Sequence, residues 1–302
     1  QRGVAQQDFH YTQFMFNKLS FNPAYAGTKE AWCLSGIYRR QWFGIDRAPQ
    51  TATLNVHGAV AKNRVGLGLS VSYDEIGFAN RVATETNYSY IIPFEKNKAF
   101  LSFGLRAGLY YNEIRWDEAD LIDAGDNAIP QTTTSRLMPN FGAGVYYQSA
   151  KWYAGLSVPH LFENRGDFNI PASNGVVEPD FTQHYYAMGG FTADMSENVQ
   201  IQFNTLAKYV VNSPLSLDLN VSFVFVKRVL FGVTYRVGDS IDALFQWQIT
   251  PQLRIAAAYD FSTTQLQRYN SGSIEAMINY CFVKSPKEGK GFDSHLGNER
   301  FF

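Results

Sequence analysis

The sequence predicts an all-β fold, a transmembrane antiparallel β-barrel of about 14 strands, with short periplasmic turns and long extracellular loops. Three observations carry that expectation. Apolar and polar side chains alternate at nearly every position between residues 200 and 282. The apolar set is unusually rich in Phe, Leu and Val, and the connections sort by parity into a short set and a set that includes the long loops. Period two is the strand period, because successive side chains point to opposite faces. A greasy face toward lipid and a wet face toward a lumen is the membrane-barrel pattern. Only a closed barrel or a helix pairs every backbone amide in hydrocarbon.

Residues 1–31 do not alternate, and they read as a plug-like segment packed in or against the periplasmic mouth, with entry into the lumen left open. Residues 32–282 form the barrel, and the polar, Gly-rich residues 283–302 read as a periplasmic tail. Within the barrel the strands fall at 32–42, 49–61, 64–74, 81–92, 99–116, 137–149 and 151–158. The second half continues at 183–194, 198–209, 215–226, 228–238, 240–249, 253–262 and 272–282. The clearest example is 215–226, where Leu217, Leu219, Val221 and Phe223 interleave with Asp218, Asn220 and Ser222. After Lys227 and Arg228 the alternation resumes through Val229, Phe231, Val233 and Tyr235. Many of these segments approach or exceed the 9 to 11 residues, roughly, that a tilted strand needs to cross a bilayer. Connections such as 61–64, 149–151 and 226–228 are short, whereas 117–136 and 159–182 are long. An even strand count places both termini on the short-turn, periplasmic side.

Composition agrees. Of the 302 residues 18% are charged and 16% aromatic, and the mean hydropathy of -0.22 is what lumen residues cancelling lipid-facing ones produce. No stretch approaches the roughly 18 apolar residues of a spanning helix. A net charge of -1 argues against a nucleic-acid surface. The chain begins with Gln1, which we read as a mature end left after signal-peptide removal.

Parity points Arg39, Glu85, Arg106, Asp218, Arg236, Asp242, Arg254, Asp260 and Glu275 into the lumen. Mixed signs suggest ion pairs, or a loop filling the bore, rather than a single-sign pore. Cys33 opens the first strand and Cys281 closes the last, at matched height on neighbouring strands. They are expected either to bridge the seam or to remain two small buried thiols.

No catalytic, cofactor or metal site is expected. The five histidines lack ligand-type spacing. His160 and His184 flank one loop without a convincing serine partner. The acidic run 117–126 lacks calcium-loop spacing and reads as a solvated loop. Gly66 and Gly68 sit in a strand pattern with no helix following, so they read as room for neighbours rather than as a phosphate loop.

The amino-terminal stretch differs. QFMFN (13–17) and NPAYAG (22–27) combine aromatics that need burial with turn-forming Asn-Pro and Gly. With these residues the chain resembles the PorP/SprF family of type IX secretion and gliding-motility membrane proteins. The resemblance continues through YRRQWFGIDRAPQTATLN (38–55), SYDEIGF (72–78), NFGAGVYY (140–147) and YAGLSVPHLF (153–162). It ends in YRVGDSIDALFQ (235–246) and YDFSTTQL (259–266), so it covers about residues 8 to 282. The family pattern leads one to expect Gly where Arg47 stands. The resemblance implies an outer-membrane barrel that docks or anchors a secreted adhesin carrying a type B C-terminal sorting domain. It also implies contact with other type IX components, among them a periplasmic peptidoglycan-binding protein.

Phe162, Phe168 and Phe181 on the long loop are candidate partner anchors, since aromatics dominate interface energetics. Asn22, Pro23 and Tyr25 are candidates from the amino-terminal motif. Outer-membrane lipid is the remaining partner. The alternative reading is a porin or transporter that passes a small solute.

Overall fold

The computed structural model describes residues 10–29, 31–94, 98–118, 133–162, 182–211 and 213–282. Among them fourteen strands close into one antiparallel barrel. In chain order these are β1 Cys33–Arg40, β2 Gln50–Val60, β3 Val65–Ile76, β4 Ala79–Phe94, β5 Ala99–Ile114, β6 Thr134–Gln148 and β7 Trp152–Val158. They continue with β8 His184–Ser196, β9 Val199–Val210, β10 Ser216–Phe225, β11 Val229–Arg236, β12 Ser240–Gln248, β13 Leu253–Ser262 and β14 Ser273–Cys281. Each strand pairs with its sequence neighbours, and β1 pairs with β14 from Cys33 opposite Cys281 to Arg40 opposite Ile274. All fourteen expected strands are present with ends shifted by a few residues. The largest shift lengthens β6 backward to Thr134, which narrows the preceding loop.

Burial runs opposite to that of a water-soluble protein. Leu105 and Leu156 on the outer face are 61% and 62% exposed, whereas Asp242 and Gln246 inside are 0% exposed. Large apolar side chains displayed at this density need lipid around them. Their cross-strand packing is built by register. Phe223 faces Phe231, which faces Phe245, and the last two rings lie 5.2 Å apart. Exposed aromatics form a band at each end. Tyr38, Tyr73, Tyr111, Tyr185 and Tyr235 lie toward the long-loop end, while Trp32, Tyr90, Trp152, Trp247 and Tyr280 lie toward the short-turn end. Aromatic rings with polar tips favour the two membrane–water interfaces. Tyr73 and Tyr111 fit that setting, donating to Glu75 and Glu113 two residues on, at 3.0 and 3.1 Å.

The long-loop end is not uniformly long. Residues 77–78 and 237–239 there are as tight as the turns opposite. Arg47, where the family pattern leads one to expect Gly, has φ +53°, a conformation that suits Gly. Its guanidinium stacks 4.4 Å from the Phe78 ring and pairs with Glu118 at 3.0 Å, which ties three outer connections together.

At the seam the two cysteines are joined as a disulfide, Cys33 to Cys281, across 248 residues of sequence. The loop it closes contains nearly the whole barrel. Chain-entropy reasoning assigns such a loop roughly 5 kcal/mol as an upper value. A Cys33→Ala, Cys281→Ala protein should therefore still fold as a barrel but unfold at lower denaturant. Mobility shift on unheated against heated gels, with and without reductant, measures this. Peptide mass spectrometry showing two free thiols in the native protein would remove the bridge from the account.

Candidate functional site

Residues 10–29 fill the lumen from its long-loop end to its short-turn end, a depth that the sequence left open. His10 to Gln13 lie against the long-loop ends of β9, β13 and β14. The segment then crosses to β5, β6 and β7, and Gly27 reaches the short-turn end of β2. A short helical turn, Lys18–Phe21, and a 3-10 turn, Pro23–Tyr25, are its only regular structure. Asn22 starts the second turn, its side chain accepting from the Ala24 amide at 2.9 Å while its Nδ2 donates to the Val145 carbonyl at 2.9 Å. Asn-Pro thus both bends the chain and fastens it to the wall.

So irregular a backbone leaves its amides and carbonyls without internal partners, and buried ones must find others. The barrel wall supplies them. Glu275 accepts from the Thr12 and Gln13 amides at 2.8 and 2.9 Å. Arg106 donates to the Leu19 and Ser20 carbonyls at 2.5 and 3.1 Å. Ser157 and Ser89 donate to the Phe21 and Ala26 carbonyls, each at 2.7 Å. Close approach is made possible by glycines in the wall. A Cβ on Gly66 would fall on the Ala26 carbonyl, and one on Gly104 on the Ala24 amide. The room expected around Gly66 and Gly68 is taken by the Ala26 backbone and the Ser89 side chain at the first and by the Leu19, Asn87 and His57 side chains at the second.

The apolar face of the segment makes the lumen's hydrophobic core. Tyr11, Phe14, Met15, Leu19, Phe21 and Tyr25 pack with Tyr146, Tyr153, Tyr186 and Leu206 of the wall. Phe21 meets Tyr11 and Tyr186 edge to face, a geometry worth about 0.5–1.5 kcal/mol per pair beyond area burial. Lys18 is buried among Tyr25, Tyr146 and Tyr153, its ammonium 3.5 Å from the Tyr153 ring centre. Burial holds its pKa well below the usual lysine value.

Two groups of wall charges clasp this core. In the larger, Arg39 bridges Asp260 at 2.6 Å and Glu275 at 3.3 Å and donates to the Thr12 hydroxyl at 2.8 Å. Asp218 receives Arg236 at 3.0 Å and Lys208 at 3.2 Å, and Arg236 approaches Asp242 and Asp260 at 3.9 Å each. In the smaller, Arg106 pairs with Glu85 at 3.2 Å, and Tyr110 donates to the same carboxylate at 2.6 Å. Arg254 stands apart near the short-turn end, donating to Gln248 at 2.8 Å and lying over Phe16. Lys208, Thr12 and Lys18 were not singled out from sequence. Lys208 shares the inward parity of its strand, and that was its only signal. Between the segment and β2 to β5 remains a cavity of about 30 Å³, lined by Glu85, Arg106 and His160 together with Tyr11, Phe21 and Tyr110 among others.

Asn22, Pro23 and Tyr25, expected as partner contacts, are buried inside the barrel, so their side chains serve the plug. Phe162 is 49% exposed at the long-loop rim, edge to face with Phe141. Phe168 and Phe181 lie outside the described residues, as does most of the acidic run. His160 and His184 do come together, 5.7 Å between ring centres. Their Nδ1 atoms lie 2.9 Å from Asn140 Oδ1 and 2.8 Å from the Thr182 carbonyl.

Breaking a buried ion pair by removing one partner costs about 3–5 kcal/mol. Arg39→Met, which strands Asp260 and Glu275, should lower the unfolding midpoint correspondingly, while Arg47→Met at the exposed rim should shift it far less. Thermal melts in detergent compare them. The depressed Lys18 pKa means that the unfolded chain binds more protons between that value and 10.5, so stability rises with pH through this window. The increment should be missing in Lys18→Met.

No curated protein sequence matches the chain. Among solved structures, the CymD monoaromatic hydrocarbon channel is similar with a TM-score of 0.52 at 12% identity, over 90% of this chain and 92% of that one. The outer membrane protein Omp33 of Acinetobacter baumannii gives a TM-score of 0.45 at 11% identity, over 84% and 98% of the two chains. At such identity the likeness is one of fold. The profile described as "Type IX secretion system membrane protein PorP/SprF" matches residues 3–280, and the chain belongs to that family.

Proposed function

We propose that this barrel is a non-enzymatic docking or anchoring component of the type IX secretion and gliding machinery. Its long-loop end holds a secreted surface adhesin with a type B C-terminal domain. Its short-turn end, where β1 begins and β14 ends, faces the periplasm and other secretion components, including a peptidoglycan-binding protein. The observation that carries this reading is the filled lumen. A bore occupied from His10 to Gly27, hydrogen-bonded to β2, β4, β5, β6, β7, β13 and β14, favours an anchor over a solute channel. Family membership supplies the machinery. The long loops support the site, because rigid scaffolds present binding residues on loops, and Phe162, with Phe168 and Phe181, gives that loop aromatic anchors.

Affinity purification from native membranes should recover a large surface protein with the intact barrel. Removing residues 163–181 should abolish its retention while leaving the heat-modifiable barrel intact. Retention after deletion would move the contact elsewhere. Planar-bilayer recordings separate the two readings: the wild type should give no open-channel steps, and Gly104→Val, which displaces Ala24, should give them. Large steady conductance from the wild type would favour the channel.

A further inference from the structure

We infer that the short-turn rim is a binding site for anionic phospholipid headgroups in the adjoining leaflet. The turn residues Lys62, Arg64, Lys98, Lys227 and Arg228 are all exposed, and none forms an ion pair with a described residue. Exposed acids on the described part of this rim are Asp194 and Glu197, and Asp194 is taken up by Lys151 at 3.8 Å. The opposite end behaves differently. There Arg47 pairs with Glu118, and Arg115 with both Glu118 and Glu75. The long-loop end holds two such pairings beside the exposed Arg40 and Arg268, whereas all five turn cations of the short-turn rim stand without a described carboxylate.

Backbone conformation gives a second, independent observation. Lys62, Lys98, Val226 and Lys227 all have φ between +47° and +57°. Tight hairpin turns of this hand ordinarily take Asn or Gly, and a β-branched valine there is a rare choice. Turn geometry alone would select against these residues, so their side chains are the reason for them. Val226 is 64% exposed, which gains nothing in water but suits the boundary of a bilayer.

Position selects lipid over a soluble protein. The turns carrying these cations are only a few residues long and barely project past the aromatic band. Arg64 directly precedes Val65, which pairs with Tyr90, and Val226 directly follows the exposed Phe225. Lysine and arginine just beyond an aromatic girdle stand at phosphate level, where basic residues are drawn to anionic surfaces. The Phe225, Phe231 and Phe245 rings below Lys227 offer the acyl chain a continuous apolar wall.

The test uses the full-length protein in nanodiscs of phosphatidylglycerol or phosphatidylcholine, with retained lipid counted by native mass spectrometry after delipidation. The wild type should retain phosphatidylglycerol preferentially, and rising salt should erase the preference. Exchanging Lys62, Arg64, Lys98, Lys227 and Arg228 for Gln should lower that ratio by ~10-fold or more. A parallel protein with Arg at the three lysine positions should keep it. Equal retention of both lipids by the wild type overturns the proposal, as does an unchanged ratio in the Gln protein. Loss of a protein partner by the Gln protein, with its lipid ratio unchanged, also overturns it and assigns the rim to protein.

Discussion

A strand in hydrocarbon has no water to satisfy its amides, and the rest of this molecule follows from that constraint. Pairing β1 to β14 removes the last free edge. Closure then forces every side chain either outward into acyl chains or inward into a confined bore. The alternation of Leu, Val and Phe with Ser, Asn and Asp along β10 and β11 is the sequence's answer to that division. The disulfide at the seam reinforces the one strand pair whose members are distant in sequence.

Confinement creates a second problem, since the bore is lined with charges that would be costly to bury unpaired. The amino-terminal segment resolves it by bringing backbone rather than bulk. Thr12 and Gln13 offer amides to Glu275, and the Leu19 and Ser20 carbonyls receive Arg106. Wall charge and plug backbone complete each other. The plug needs the wall because its few helical turns leave most of its polar groups open, and the wall needs the plug because Asp260 and Glu275 draw donors from Thr12 and Gln13 as well as from Arg39.

The barrel was legible because period two is a local signal repeated in every hairpin. Inward charges were legible for the same reason, since parity alone places Asp218 and Arg236. The path of residues 10–29 was not legible. Its contacts join Thr12 to Glu275 and Asn22 to Leu156, pairs that no local period relates. Composition announced aromatics in need of burial but not their depth, so Asn22, Pro23 and Tyr25 read as surface contacts when they are interior. Lys18 was missed because a lysine in an irregular segment reads as solvated. Only the arrival of Tyr146 and Tyr153 from β6 and β7 gives it an aromatic enclosure.

The segment that occupies the bore, residues 10–29, precedes β1 in the chain, and the carboxylate that holds its Thr12 and Gln13 amides belongs to β14. An empty barrel would bring β14 to the seam with Glu275 facing Asp260 across Arg39 and no amides to receive. Seam and bore thus share one carboxylate, and a barrel closed at β14 without its occupant would leave Glu275 short of the two amides it holds.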